Sequence, residues 1–313
     1  MKRPASSQQR KQFPPWRTLP GQPLPWRMAG VTAAVMTLWA GVVAAPDALA
    51  KSQGKAMVCD VQVPAGGTAL ADALAAAESG ARLCLAPGVH LAGLTLARSV
   101  TLQGAVGAQP TVLQGPGRGS VLRIDDDGLL VRLEGLTLTG GVADAGGGLA
   151  VRGRGKVQVE NCVFRGNKAG MLGGGGLYAR AGMLHIERTT FADNEARQGG
   201  GLFLDQVARA ELVRCTFETN RAEVASALRL TEASVAEVRN SRFSGHGPDV
   251  AQVSASRSRV PKLVLTFCEV DAGLLVNGPE LPGVIQLKHN KLPASWRGLP
   301  GVADLGGNTW RTP

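Results

Sequence analysis

A tandem repeat of about 26 residues is the feature that most constrains how this chain can fold. Three Gly-Gly-Gly-Leu segments begin at Gly146, Gly174 and Gly199. Each is followed by a strand-like stretch that ends in Phe-x-x-Asn. A fourth, less well preserved copy of this stretch follows the third one. The phenylalanines of the four copies are Phe164, Phe191, Phe217 and Phe243. Successive phenylalanines are separated by nearly the same interval. Because the two motifs share one period, the sequence predicts a solenoid in which each copy forms one turn.

Apolar residues alternate along short runs within each repeat, as in β-strands that bury one face. Leu184 and Ile186 share one face, the polar pair Glu187-Arg188 interrupts the alternation, and Phe191 resumes it. Two successive polar residues fit a bend after which the apolar side again faces inward. One repeat cannot bury its apolar face alone, so repeats must stack at about 4.8 Å to form a core.

The sequence therefore predicts an all-β fold, a right-handed parallel β-helix of about seven to eight rungs. Its interior is expected to hold a phenylalanine stack of Phe164, Phe191, Phe217 and Phe243, with Phe267 as a further member. Leu138 precedes Phe164 by one period and is expected to take the same interior position. Amide side chains are expected to form a second internal ladder that satisfies backbone groups at the bends, through Asn167, Asn194 and Asn220.

The two ends of such a coil need covers, because an open rung exposes unpaired strand edges. Residues 68–80 predict a short amphipathic capping helix, with Thr68 at its N-cap. At the other end, residues 291–313 are expected to form a tail or cap in which Trp296 and Trp310 cover the last rung.

Residues 1–50 indicate a secretory signal peptide with a long basic n-region. An apolar run at 28–45 follows the basic residues, and Ala48-Leu49-Ala50 supplies the small residues that predict cleavage after Ala50. An uncleaved anchor is the alternative, since the run is at the short limit of a span of roughly 17–25 residues. The β-helix domain is predicted over 51–290, exported to the periplasm, cell surface or medium, without an integral membrane domain.

The charge and the cysteines fit an exported domain. The whole chain carries +10; residues 1–50 hold six basic residues and one acid, which leaves +5 for the remainder. Cys59 and Cys84 flank the predicted helix and are the candidate disulfide pair. Cys162 and Cys215 share an interior column two rungs apart, about 9.6 Å, which is too far for a disulfide. The scattered basic residues give no reason to expect nucleic-acid binding.

The paired Gly-Gly-x-Leu and Phe-x-x-Asn repeats resemble those of right-handed parallel β-helix proteins of the pectin-lyase-like superfamily. They look most like the repeats of polymorphic outer-membrane protein passenger domains, over residues 55–290. The resemblance implies the fold, which hosts lyases, hydrolases, adhesins and structural spikes. It also implies that an enzyme of this kind would act on an acidic polysaccharide through clustered outward carboxylates.

The best candidates for catalysis fall in one outward column on successive rungs: His185, Glu211 and Glu237. Stacked acids could raise a pKa or bind a cation. The alternative is a solvated face, neutralised by Arg188, Arg214 and Arg239. Three successive acids, Asp125, Asp126 and Asp127, form a candidate calcium site. The alternative is that they belong to a solvated turn.

Two further features favour a structural explanation over a chemical one. Gly245-His246-Gly247 resembles a tripeptide of the superfamily's polygalacturonases, but His246 also falls where the amide ladder expects Asn. Few aromatic residues are available for sugar stacking, namely Tyr178, Phe203 and the tryptophans of the C-terminal segment.

The leading hypothesis is thus an exported non-enzymatic β-helix with a surface, adhesive or structural role. The alternative is a polysaccharide lyase or glycoside hydrolase acting on an acidic polysaccharide, and a third hypothesis is a passive polyanion binder. The expected partner is an acidic polysaccharide or a cell-envelope component. No cofactor other than calcium is expected.

Overall fold

Short parallel strands build nearly all of the described chain. The computed structural model describes residues 58–207, 209–245, 249–254, 260–271, 273–277 and 284–312. The predicted signal peptide, residues 1–50, lies outside the described residues, and so does His246. Neither helix in the described part of the chain is long and apolar enough to cross a membrane.

Three long parallel sheets, here called A, B and C, run along the coil, and a short sheet D lies between B and C along the chain. Within the described residues sheet A contains Val61–Val63, Arg82–Leu85, Val100–Gly104, Leu130–Glu134, Lys156–Glu160, Met183–Glu187, Arg209–Val213, Val235–Arg239, Lys262–Thr266, Ile285–Lys288 and Val302–Asp304. Sheet B contains Gly88–Leu91, Thr111–Gln114, Leu136–Thr139, Val163–Arg165, Thr190–Ala192, Thr216–Glu218, Arg242–Ser244, Glu269–Val270, Lys291–Pro293 and Thr309–Arg311.

Sheet C contains Leu94–Thr95, Leu122–Ile124, Leu149–Val151, Leu177–Arg180, Leu202–Asp205, Leu228–Thr231, Asp249–Ser254 and Gly273–Asn277. Sheet D contains Val142–Ala145, Lys168–Gly173, Glu195–Gln198 and Arg221–Val224. Eight successive turns of the described chain contribute a strand to each of A, B and C. The parallel β-helix and the predicted seven to eight rungs are therefore confirmed.

The bend between sheets A and B is a single residue in the left-handed conformation. Arg188 has φ +48° and Arg214 has φ +55° at equivalent corners. Such a residue changes the direction of the chain in one step, so the side chains that follow it again point inward. This is the physical basis of the polar interruption after Ile186, which is fully buried in sheet A.

The phenylalanine stack lies at the centre of sheet B. Ring centroids of Phe164 and Phe191 are 5.0 Å apart, followed by separations of 4.8 and 4.7 Å to Phe217 and Phe243. Leu138 pairs in register with Phe164, as the spacing predicted.

The expectation for Phe267 was wrong. Its side chain is 58% exposed and stacks on His289 at the corner between sheets A and B. Val270 occupies the interior position next to Phe243, because it lies one full repeat further along the chain.

The amide ladder runs beside the phenylalanine stack. The Nδ2 atom of Asn167 donates to the backbone oxygen of Leu138 at 2.9 Å and to Oδ1 of Asn194 at 3.1 Å. Asn194 makes the equivalent bonds to Phe164 and Asn220, and all three asparagines are fully buried. The ladder satisfies backbone groups that the bend after sheet B leaves without strand partners.

The glycine triplets allow neighbouring turns to approach each other above the phenylalanine rings. A Cβ atom on Gly148 would lie 2.5 Å from the backbone oxygen of Gly176 and 2.8 Å from the ring of Phe164. Any larger residue would push the turns apart. The glycine triplets and the phenylalanines of the Phe-x-x-Asn motif therefore pack directly against each other.

The first turn is covered by a helix, Ala69–Ala76, that is shorter than the predicted 68–80. Leu70 is buried in the core. Thr68 occupies the N-cap position, but its hydroxyl donates to the carboxylate of Asp72 at 2.8 Å instead of accepting from a backbone amide. A disulfide joins Cys59 to Cys84, with their Cα atoms 5.8 Å apart.

The sheets continue beyond the predicted domain boundary at residue 290. Lys291–Pro293 and Thr309–Arg311 extend sheet B, and Val302–Asp304 extends sheet A. Trp296 ends a short 3-10 helix, Ala294–Trp296, and is fully buried, whereas Trp310 is partly exposed. The segment predicted as a tail thus contributes three further strands to the coil.

Candidate functional site

The predicted catalytic column does form on the outer face of sheet A. His185, Glu211 and Glu237 stand in register on three successive strands. The Nδ1 atom of His185 is 3.4 Å from Oε2 of Glu211. Arg209 lies between the acids, with Nη2 at 2.9 Å from Glu211 and 3.0 Å from Glu237, and Arg239 contacts Glu237 at 2.5 Å. Both carboxylates are therefore held in ion pairs.

These ion pairs oppose the chemistry expected of stacked acids. The pKa of Glu211 is lowered, chiefly because its carboxylate accepts a hydrogen bond from Arg209. A general acid needs a raised pKa, so the expectation of a raised value fails for Glu211. Sequence reasoning missed Arg209, although its position two residues before Glu211 on one strand puts both on the same face. Arg188, predicted to help neutralise this outer face, contacts Glu187 and Glu160 in the neighbouring column.

The acidic run does not converge on one point. Asp125 pairs with Arg123 at 2.5 Å, and Oδ1 of Asp127 accepts from the backbone amide of Arg154 at 2.6 Å. Calcium needs six to eight oxygen ligands around one centre. Among the described residues no group of three or more histidine, cysteine or acidic side chains is arranged to hold a metal ion.

Two of the aromatic residues considered for sugar stacking, Tyr178 and Phe203, are buried. Tyr178 and Phe203 are only 4% and 7% exposed and pack edge to face with centroids 5.5 Å apart. The hydroxyl of Tyr178 donates to Asp205 at 3.2 Å. Burial raises the pKa of Tyr178 to about 12, and the nearby Asp205 carboxylate adds to the effect. Both rings thus serve packing between sheets C and D.

The interior cysteines form part of a third ladder, at the corner between sheets A and B. Burial raises the pKa of the Cys162 and Cys215 thiols to about 12 and that of Cys268 to about 11. Between them stand Thr189 and Ser241, whose hydroxyls accept from the backbone amides of Cys162 and Cys215. These neutral, enclosed thiols have neither the exposure nor the low pKa of a nucleophile.

A groove of about 900 Å³ runs along sheet D and was not predicted from the sequence. Its floor includes a small residue from each of the four strands of the sheet: Ala143, Ala169, Ala196 and Ala222. Three of these alanines belong to the Asn-x-Ala part of the repeat, two residues after the ladder asparagines. The small side chains keep the groove open, so the Ala of each repeat was the signal available in the sequence.

Charged residues line the groove. The five cations are Arg123, Arg152, Lys168, Arg197 and Arg221, and the three acids are Asp144, Glu195 and Glu223. Lys168 pairs with Glu195 at 2.8 Å, and Arg197 pairs with Glu223 at 3.3 Å. Arg152 and Arg221 make no ion pair with any described residue, so the groove presents a net positive surface.

Comparisons with known proteins agree with this architecture. The family described as right-handed β-helix region matches residues 112–266. No curated protein matches the sequence. The pectin methylesterase from Aspergillus niger, in deglycosylated form, is structurally similar with a TM-score of 0.50 and 13% identity, over 79% of this chain and 89% of that chain. An alginate lyase from Paenibacillus sp. str. FPU-7 has a TM-score of 0.44 and 16% sequence identity, over 80% of this chain and 95% of that chain.

The repeat, the three-sheet coil and the match to the β-helix family define the class of the protein: it is a right-handed parallel β-helix. More particularly, its fold is similar to that of the Aspergillus niger pectin methylesterase. At these identities the likeness concerns the fold alone. The finer resemblance to polymorphic outer-membrane passenger domains stays a prediction.

Proposed function

We propose that this protein is an exported, non-enzymatic β-helix that binds an acidic polysaccharide of the cell envelope or its surroundings along the groove over sheet D. The observation that carries the proposal is the charge of that groove. Once the ion pairs of Arg123, Lys168 and Arg197 are set aside, Arg152 and Arg221 face the single acid Asp144 around an open floor of alanines. A groove of one predominant sign concentrates a ligand of opposite charge.

The shape of the groove favours a polymer over a small molecule. Its floor crosses four successive turns of the coil. At about 4.8 Å per turn these span roughly 14 Å, along which repeated anionic units can each meet a different turn. Arg152 and Arg221, which have no ion-pair partner among the described residues, are the principal anchors in this account. A guanidinium can bind a carboxylate through two parallel hydrogen bonds.

The ion pairs within the groove argue against catalysis there. Glycoside hydrolysis needs two carboxylates, one of them protonated. Glu195 and Glu223 are each neutralised by a cation of a neighbouring strand, which leaves Asp144 as a single exposed acid. On sheet A, Arg209 holds the carboxylates of Glu211 and Glu237 in the same way.

Binding and turnover can be measured together. The protein is incubated with polygalacturonate, alginate and a neutral dextran, with and without calcium, while retention and released sugar ends are followed. The proposal predicts retention of both acidic polymers that weakens with salt, no retention of dextran and no turnover. Turnover that is abolished by Glu211→Ala would establish the alternative, a carbohydrate-active enzyme, and overturn the proposal.

A further inference from the structure

Three arginines surround a second cavity, of about 500 Å³, at the end of sheet C that leads back to sheet A. They are Arg152, Arg154 and Arg180, and we call this space the arginine cavity. The rest of its lining contains no carboxylate among the described residues and consists of Leu172, Tyr178, Ala181 and Gln206.

Two of these arginines occupy equivalent positions on neighbouring strands. Arg152 directly follows Leu149–Val151, and Arg180 ends the next strand of sheet C, Leu177–Arg180. Because Val151 pairs in register with Ala179, the backbones of the two arginines are about one rung, ~4.8 Å, apart. Like charges at directly opposed positions destabilise a sheet unless an anion compensates them.

On sheet A the stacked acids Glu211 and Glu237 are compensated, because Arg209 pairs with both. In sheet D, Lys168, Glu195 and Arg221 follow one another in register with alternating charge. In sheet A, Arg132 reaches Glu160 on the following strand at 3.0 Å. The stacked arginines of sheet C therefore lack the oppositely charged partner that these groups have.

The acids nearest in register or sequence do not neutralise these guanidinium groups. Asp205 pairs in register with Arg180, but its carboxylate accepts from the hydroxyls of Tyr178 at 3.2 Å and Thr231 at 2.8 Å. Asp127 accepts from the backbone amide of Arg154, not from its side chain. The three guanidinium groups form no ion pair with any described residue, so the cavity holds three uncompensated positive charges.

The number of donors indicates which anion fits. Each guanidinium offers five N–H donors in a planar fork. A carboxylate has two oxygens and is satisfied by one such fork, whereas a sulfate or phosphate ester has three terminal oxygens that can meet three arginines. We infer that the arginine cavity is a subsite for a tetrahedral oxyanion ester carried by the bound polysaccharide. This inference rests on the proposed function, because Arg152 also lines the groove and joins the two spaces.

The test compares three polymers on one backbone: dextran sulfate, dextran phosphate and carboxymethyl dextran, at matched degrees of substitution. The wild-type protein is compared with the double variant Arg154→Ser/Arg180→Ser. Arg214→Ser is the matched control, since Arg214 is exposed and lines neither the groove nor the arginine cavity. Thermal unfolding checks that each variant is folded, and Arg180→Ser alone replaces the double variant should that one not fold.

The wild-type protein is expected to bind the sulfate or the phosphate polymer about tenfold more tightly than carboxymethyl dextran, the effect of one charge-assisted contact. The polymer with the higher affinity identifies the ester. The double variant should lose this preference while its affinity for carboxymethyl dextran changes by less than about twofold. Equal affinities for all three polymers, or a preference that survives in the double variant, would overturn the inference and leave the proposed function intact. Binding of none of the polymers would contradict both.

Discussion

Asn167 donates two hydrogen bonds to Asn194 inside the coil, one from its backbone and one from its side chain. Its backbone N–H and its Nδ2 group donate to the same Oδ1 atom of Asn194, each at 3.1 Å. Neither residue has any exposure to solvent. One side-chain oxygen thus satisfies two buried donors of the preceding turn, which makes the ladder a point where neighbouring repeats depend on each other.

Asn194→Ala should therefore destabilise the protein by about 3 kcal/mol, since two donors and the backbone oxygen of Phe164 lose their partner in a dry interior. Chemical denaturation measures the free energy of unfolding. Glu195→Ala is the control one residue away, where the exposed ion pair with Lys168 predicts a change below about 1 kcal/mol. A loss at Asn194 no greater than at Glu195 would show that the ladder is dispensable.

Phe191→Ala should cost about 4 kcal/mol of unfolding free energy, because it removes a fully buried ring stacked between two others. Phe267→Ala is the matched comparison, since that ring is largely exposed at a corner and should cost less than about 1 kcal/mol. Equal losses at the two positions would contradict the assignment of Phe267 to the surface.

The three interior thiols should resist alkylation in the folded protein at pH 8. Burial raises the pKa of Cys162, Cys215 and Cys268 to between about 11 and about 12, so almost no thiolate is present. Mass spectrometry after iodoacetamide treatment should find no label in the native protein and three labels per chain after unfolding without reductant. Rapid labelling of the native protein at any of the three would show that the coil opens there.

Stability should depend on pH through Glu211. Its folded pKa is lowered by Arg209, so the ionised carboxylate stabilises the fold above its unfolded pKa of about 4.3, and this contribution is lost as the pH falls through the lower folded value. The side chain is about one-third exposed, so solvent screening keeps the effect below about 1 kcal/mol. The difference in unfolding free energy between wild type and Glu211→Gln should be present at pH 7 and shrink below pH 4. A difference that grows on acidification would contradict the ion pair.

The coil could be predicted from the sequence because its determinants are local and periodic. The Phe-x-x-Asn motif recurs 17 or 18 residues after the start of each glycine triplet, and each copy indicates the same packing. The prediction for Phe267 failed because residue identity was followed instead of the period, which places Val270 in the column.

The groove and the arginine cavity could not be predicted in the same way. Arg152 and Arg180 are adjacent only because the register of sheet C aligns Val151 with Ala179. The residue types alone do not determine that register. The repeat spacing does not determine it either, because the interval from Gly146 to Gly174 is longer than the interval from Gly174 to Gly199. Ion pairing is likewise set by side-chain reach, which is why Arg209 was overlooked as the partner of Glu211.

The central claim, that an acidic polymer lies in the groove over sheet D, is tested most directly by equilibrium binding of polygalacturonate to groove variants. Arg221→Glu reverses one unpaired charge of the lining, and Ala222→Trp fills the floor beside it without changing charge. Arg214→Glu makes the same charge reversal outside the groove. The account predicts at least about tenfold weaker binding for both groove variants and less than about threefold for Arg214→Glu. Equal weakening by Arg221→Glu and Arg214→Glu, with no effect of Ala222→Trp, would contradict it.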